Sequence, residues 1–175
     1  MDIWSKKKRS AVMARIKSKD TKPEWIVRRY LYSKGYRYRK NVKKLPGSPD
    51  IVLRKYGVAI FIHGCFWHGH SVDGHIPLSN SDYWRNKIEK NQERDKLNKQ
   101  KLLSLGWAVI VVWECQLKSS KREQTLKEIE YYINKSYLDR LRVRTSTFYS
   151  TPENESHVNL VAEDEILYGR RVKKE

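Results

Sequence analysis

"DIVLRKYGVAIFIHG", residues 50–64, holds two short apolar runs, 51–53 and 58–62, on either side of a polar turn at 55–57. Apolar runs of this length, rich in β-branched residues and bounded by turn residues, read as buried strands. The second run has no polar interruption, which places it in the centre of a sheet. Upstream, "LPGSP" (45–49) is a turn cluster, and "YRYRKNV" (36–42) alternates aromatic and basic residues as a half-exposed strand does. Before it, "DTKPEWIVRRYLYSKG" (20–35) reads as a helix, with Asp20 or Thr21 as its cap, Pro23 in its first turn and Gly35 as its stop. Trp25, Ile26, Arg29, Tyr30 and Leu31 are the expected buried stripe of that helix.

Downstream, residues 71–81 form a polar loop, and "DYWRNKIEKNQERDKLNKQKLLSLG" (82–106) is a long charged helix stopped by Gly106. "WAVIVVWEC" (107–115) is a further buried strand, and residues 121–134 suggest a closing helix. The order of helix, three strands, helix, strand and helix predicts one α/β domain over residues 1–144, a central mixed sheet flanked by helices. Residues 1–19 form a basic arm in which Val12 and Ile16 suggest a short amphipathic helix. Residues 145–175 lack clear periodicity and are left as an unassigned C-terminal extension.

Charge narrows the class of partner. The net charge of +17 is concentrated at one end: residues 1–44 carry 16 Lys/Arg against 3 Asp/Glu, whereas residues 145–175 carry 4 against 6. A basic arm of this kind suits a polyphosphate partner, because neutralising phosphates releases condensed counterions; a merely solvated lysine-rich surface is the alternative. No apolar run approaches the roughly 18 residues of a membrane span. The two cysteines make no disulfide framework, and the N-terminus has no secretory pattern. A cytoplasmic protein is expected.

Chemistry-bearing residues gather in "FIHGCFWHGH" (61–70), which carries His63, His68, His70, Cys65 and the pair Phe66–Trp67. Asp50 opens one strand and His63 closes the next, so both reach the same sheet edge. A Pro-Asp dipeptide at a strand start, followed by a strand with (D/E)-x-K, is the usual signature of a large Mg²⁺-dependent nuclease superfamily. Here Pro49–Asp50 supplies the first half, but the second strand reads Phe61-Ile62-His63.

With "RSAVMARIKSKDTKPE", "LPGSPD", "YWRNKIEKNQERD" and "LGWAVIVVWEC" in the same order, the chain resembles the very short patch repair (Vsr) DNA mismatch endonucleases over about residues 6–117. The resemblance implies a restriction-endonuclease-like PD-(D/E)xK core. It implies that Asp50 and the backbone carbonyl of Ile62 hold catalytic Mg²⁺, and that His63 and His68 are the active-site histidines, His68 the leading acid/base. Glu24 and Asp95 are implied as acidic residues supporting them from the first helix and the long helix. It also implies a structural Zn²⁺ site from Cys65, His70 and Cys115. The family's fourth ligand, a cysteine, falls at Val72, which cannot ligate; His75 or Asp73 could replace it, His75 being the better donor for zinc. The other reading is that the site is lost and both cysteines are small buried residues.

Phe66, Trp67 and Trp84 match the family's aromatic wedge, which enters the duplex beside the mismatch. The implied activity is that of a monomer that nicks one strand of duplex DNA 5′ of the thymine in a T·G mismatch, initiating very short patch repair after 5-methylcytosine deamination. A restriction-type or structure-selective nuclease of the same fold, and a DNA-binding module without catalysis, are the two rivals.

Overall fold

A computed structural model describes Lys8, Ala11 and residues 19–74, 76–77 and 80–149. Its elements run α1 (Lys22–Ser33), β1 (Arg39–Lys40), β2 (Ile51–Leu53), β3 (Val58–His63), α2 (Ser81–Ser104), β4 (Ala108–Trp113), a 3-10 turn (Glu114–Leu117) and α3 (Ser119–Tyr149). The strands form one sheet in the order β1-β2-β3-β4, antiparallel except for the parallel β3–β4 pair. A parallel pair needs a long crossover, and α2 supplies it.

The alternation of side chains along β3 and β4 sorts residues onto two covered faces. Val58, Ile60, Ile110 and Val112 join Ile51 and Leu53 against Val27 and Leu31 of α1 and Leu126, Ile129 and Ile133 of α3. Ala59 and Val109 face Leu102 of α2, with Phe61, Val111 and Trp107 packed around them. Helices therefore cover both faces of a mixed sheet, the architecture expected from the sequence. Burial of each Ile, Leu or Val side chain in the core contributes roughly 1.5–3 kcal/mol.

Three local expectations need correction. Only Arg39 and Lys40 of the 36–42 run pair with β2. The Tyr36 amide is taken by the Leu31 carbonyl at the end of α1, and Asn41 leaves extended geometry at φ 46°, although the Asn41 and Val42 amides still bond the Asp50 and Pro49 carbonyls at 3.4 and 3.3 Å. The buried stripe of α1 is Glu24, Val27, Arg28 and Leu31, while Trp25 is 62% exposed. The closing helix begins at Ser119 and passes residue 144 without interruption, ending at Tyr149, in a stretch that contains neither Gly nor Pro. The expected helix within residues 1–19 lies outside the described residues apart from Lys8, Ala11 and Lys19.

Candidate active site

The C-terminal ends of the parallel strands β3 and β4 bring His63 and Trp113 side by side, the position where open α/β sheets place their ligands. Beyond His63 the chain folds into a tight loop: the His68 amide bonds the Gly64 carbonyl at 3.2 Å and the His70 amide bonds the Cys65 carbonyl at 2.9 Å. α2 holds this loop from outside. The Asn91 side chain donates to the Trp67 carbonyl at 2.9 Å, and Gln92 donates to the carbonyls of His68 and Gly69. Gly69 has φ 62°, and a Cβ there would lie 2.5 Å from Gln92 Nε2 and 2.6 Å from Ile88 Cγ2. Only glycine lets the loop turn so close to the helix.

A cleft of about 950 Å³ opens at this edge, lined by residues that include Glu24, Asp50, Ile62, His63, His68 and Asp95. The His63 and His68 rings stack with centroids 3.8 Å apart, and His68 Nδ1 lies 2.5 Å from Asp95 Oδ2. The carboxylate can only accept, so the shared proton sits on Nδ1 and the Nε2 of a neutral His68 has its lone pair free. Burial, and after it the neighbouring His68, pull His63 down to about 4, so it is neutral at physiological pH. The Asp50 carboxyl accepts the Ile62 amide at 2.8 Å. Burial, opposed by that hydrogen bond and aided by Glu24, pushes Asp50 up to about 6.

Glu24 is buried in the wall of the cleft and bonds Arg28 at 2.6 Å, not a histidine. Its carboxylate also reaches back to the Thr21 amide at 3.3 Å, as the third residue of a capping box does. Arg28 in turn donates to the Asp50 carbonyl at 3.2 Å, tying α1 to the start of β2. Arg28 was not among the residues expected at the site. Its only sequence signal is an i,i+4 acid–base pair on the face that also carries Val27 and Leu31. Arg94 and Glu114, likewise unexpected, line the same cleft.

Cys65, His70, Asp73 and Cys115 place one ligand atom each within 4.8 Å of one another. Asp73, the alternative to His75, is the fourth member of this group among the described residues; His75 lies outside them, and Val72 is 65% exposed. Two thiols, an imidazole and a carboxylate are a donor set that suits tetrahedral zinc. The cleft combines the imidazoles of His63 and His68, grouped with Asp95, with the carboxylates of Asp50 and Glu24, and these oxygen donors suit a hard cation such as magnesium. Burial, followed by Asp73 and Cys65, pushes the Cys115 thiol up to about 12 in the metal-free protein.

Phe66, Trp67 and Trp84 form an edge-to-face cluster, each ring half-buried, with centroids 5.1–6.0 Å apart. Tyr83 extends it and is 60% exposed. Trp67 also lines the cleft, so the cluster borders it, and none of the three rings belongs to the buried core.

Comparison with known proteins agrees with this chemistry. The model of the family "DNA mismatch endonuclease Vsr" matches residues 1–74. A type II nicking enzyme of Neisseria meningitidis serogroup A is 58% identical over 119 residues, 67% of this chain and 85% of that protein. The DNA mismatch endonuclease Vsr of Escherichia coli K12 is 38% identical over 136 residues, 75% of this chain and 87% of that protein. A type II nicking enzyme of Xanthomonas oryzae pv. oryzae is 47% identical over 117 residues, 66% of this chain and 86% of that protein.

Proposed function

Because the chain belongs to the Vsr family of DNA mismatch endonucleases, we propose that it nicks one strand of duplex DNA 5′ of the thymine in a T·G mismatch, as a magnesium-dependent monomer, and so initiates very short patch repair. The observation that carries this reading is the convergence of Asp50, His63 and the His68–Asp95 pair in one cleft that Trp67 also lines.

Asp50 is the protein carboxylate that would hold the catalytic magnesium, with the Ile62 carbonyl as the second protein ligand. Once bound, magnesium neutralises charge on the scissile phosphate and acidifies the attacking water. Asp95 fixes the ring and tautomer of His68, which suits His68 to accept the proton of that water and return it. His63, kept neutral by burial and by the neighbouring His68, stacks on that ring and helps to orient it. Glu24 adds negative charge beside Asp50 and is itself held by Arg28.

Phe66, Trp67 and Trp84 would enter the duplex beside the mismatch. Unstacking a base step costs roughly a few kcal/mol, and a T·G wobble pair yields more readily than a matched pair. Stacking on the aromatic rings returns about 1–3 kcal/mol per base. Zinc held by Cys65, His70, Asp73 and Cys115 would tie the loop that presents Phe66 and Trp67 to the end of β4.

The test is nicking of T·G, matched and branched duplexes across a magnesium titration. Strong preference for T·G with no activity in magnesium-free buffer supports the reading. Equal nicking of matched DNA assigns a restriction-type enzyme, and binding without nicking assigns a non-catalytic module.

A further inference from the structure

The cleft is lined by four carboxylates, from Glu24, Asp50, Asp95 and Glu114, but by one cationic side chain among the described residues, Arg94. A phosphodiester is an anion, and charge on its non-bridging oxygens has to be balanced as the attacking water closes on phosphorus. The second strand offers no cation, since residues 61–63 are Phe, Ile and His. Arg28 is buried and bonded to Asp20, Glu24 and the Asp50 carbonyl. Lys96 and Lys99 line an adjoining cavity of about 510 Å³ that shares His63, His68 and Asp95 with the cleft, but neither lines the part that holds Asp50 and Ile62.

Arg94 precedes Asp95 on α2, so the helix that positions His68 also sets the root of this guanidinium. Its ion pair with Asp95 is long, at 3.9 Å, and its side chain is 62% exposed, which leaves most of its donors available to a ligand. The fork geometry of a guanidinium matches two oxygens of one phosphate.

Resting on the reading of this cleft as the nuclease site, we propose that Arg94 contacts the non-bridging oxygens of the scissile phosphate and stabilises the charge that develops there, supplying from α2 the cation that β3 lacks. In the step it serves, a bond forms between the water oxygen and phosphorus while one phosphorus–oxygen ester bond breaks. The water's proton passes to the base, the departing oxygen takes up a proton, and Arg94 exchanges none.

The test compares the full-length parent with Arg94→Ala, Arg94→Lys and Asp50→Asn in single-turnover nicking of a T·G duplex with magnesium. Arg94→Ala is expected to nick ~10²–10³-fold more slowly, the loss typical when one transition-state donor is removed. Its affinity for the same duplex in magnesium-free buffer should change by less than about threefold, because one phosphate contact among many carries little of the binding. Added guanidinium ion should restore part of the rate, and Arg94→Lys should fall between parent and alanine variant. Nicking by Arg94→Ala within about threefold of the parent, while Asp50→Asn is inactive, overturns the assignment of Arg94 and leaves the cleft reading intact. A loss matched by an equal loss of DNA affinity, or one without guanidinium rescue and with a lowered melting temperature, also overturns it. A fully active Asp50→Asn overturns the cleft reading, and the role of Arg94 falls with it.

Discussion

Replacing Asp50 with asparagine should make the metal-free protein more stable at neutral pH while abolishing nicking. The Asp50 carboxyl is raised from an ordinary value of 3.8 to about 6, first by burial and then by the proximity of Glu24, against the opposing hydrogen bond from Ile62. A folded-state value above the unfolded one means that the native protein holds this proton more tightly. Its stabilising contribution is therefore complete below pH 3.8 and is lost as pH rises through about 6. At about 1.4 kcal/mol per pH unit, the difference comes to on the order of 3 kcal/mol of strain at pH 7. Asparagine keeps an acceptor for the Ile62 amide and removes the charge, but it is still a buried polar group. A net gain of about 1–2 kcal/mol is expected, or roughly 2–8 °C in melting temperature for a chain of this size. The assay is thermal unfolding of both proteins in magnesium-free buffer at pH 7 and pH 5. The gap should narrow at pH 5, where the parent's carboxyl is largely protonated, and magnesium at pH 7 should stabilise the parent selectively. An asparagine variant no more stable than the parent at pH 7, or a gap indifferent to pH, would refute this account of the site.

Asp95→Asn should lower nicking by about 10²–10⁴-fold at unchanged DNA affinity, since the amide does not hold His68 in the same tautomer; a loss below about tenfold would remove Asp95 from the acid/base pair. Asp73→Ala should lower zinc content by elemental analysis, and Val72→Cys in that background should restore it; full zinc in Asp73→Ala would show that the carboxylate is not a ligand. Trp67→Ala should weaken nicking of T·G duplexes about tenfold to hundredfold, with a smaller loss on DNA already unstacked at that step. Equal losses on both, with a lower melting temperature, would return Trp67 to a packing role.

The strands were legible because burial on both faces leaves an uninterrupted apolar run, and β3 and β4 each carry one. The inner face of α1 was not legible. A periodic reading assigns apolar side chains inward, yet Trp25 points out and Glu24 and Arg28 are buried. What reverses the pattern is an ionic cluster that ties Glu24 to Arg28 and Arg28 to the Asp50 carbonyl, a partner 22 residues away that no local pattern reveals. The His68–Asp95 pair spans 27 residues and was reached through family resemblance alone. Its physical cause is the crossover helix lying across the loop. Within the sulfur cluster, the Gly74 amide bonds the His70 carbonyl at 2.8 Å, a turn that brings the Asp73 carboxylate to 3.9 Å from His70 Nδ1.

That turn bears on how one short loop can carry the residues proposed for catalysis, metal binding and base stacking together. The apolar contacts beneath it are sparse: Cys65, Trp113 and Cys115 form a small cluster separate from the main core, with Val111 packed alongside. A loop so lightly packed would lose the placement of His68 by local opening at little cost. It is fixed instead by directional bonds, from Asn91 and Gln92 to its carbonyls and from Asp95 to the His68 ring. Phe66 and Trp67 can then remain half-exposed, because they are not required to hold the loop down. Polar anchoring from α2 leaves the aromatic surface available for DNA, whereas anchoring by these rings would have consumed it.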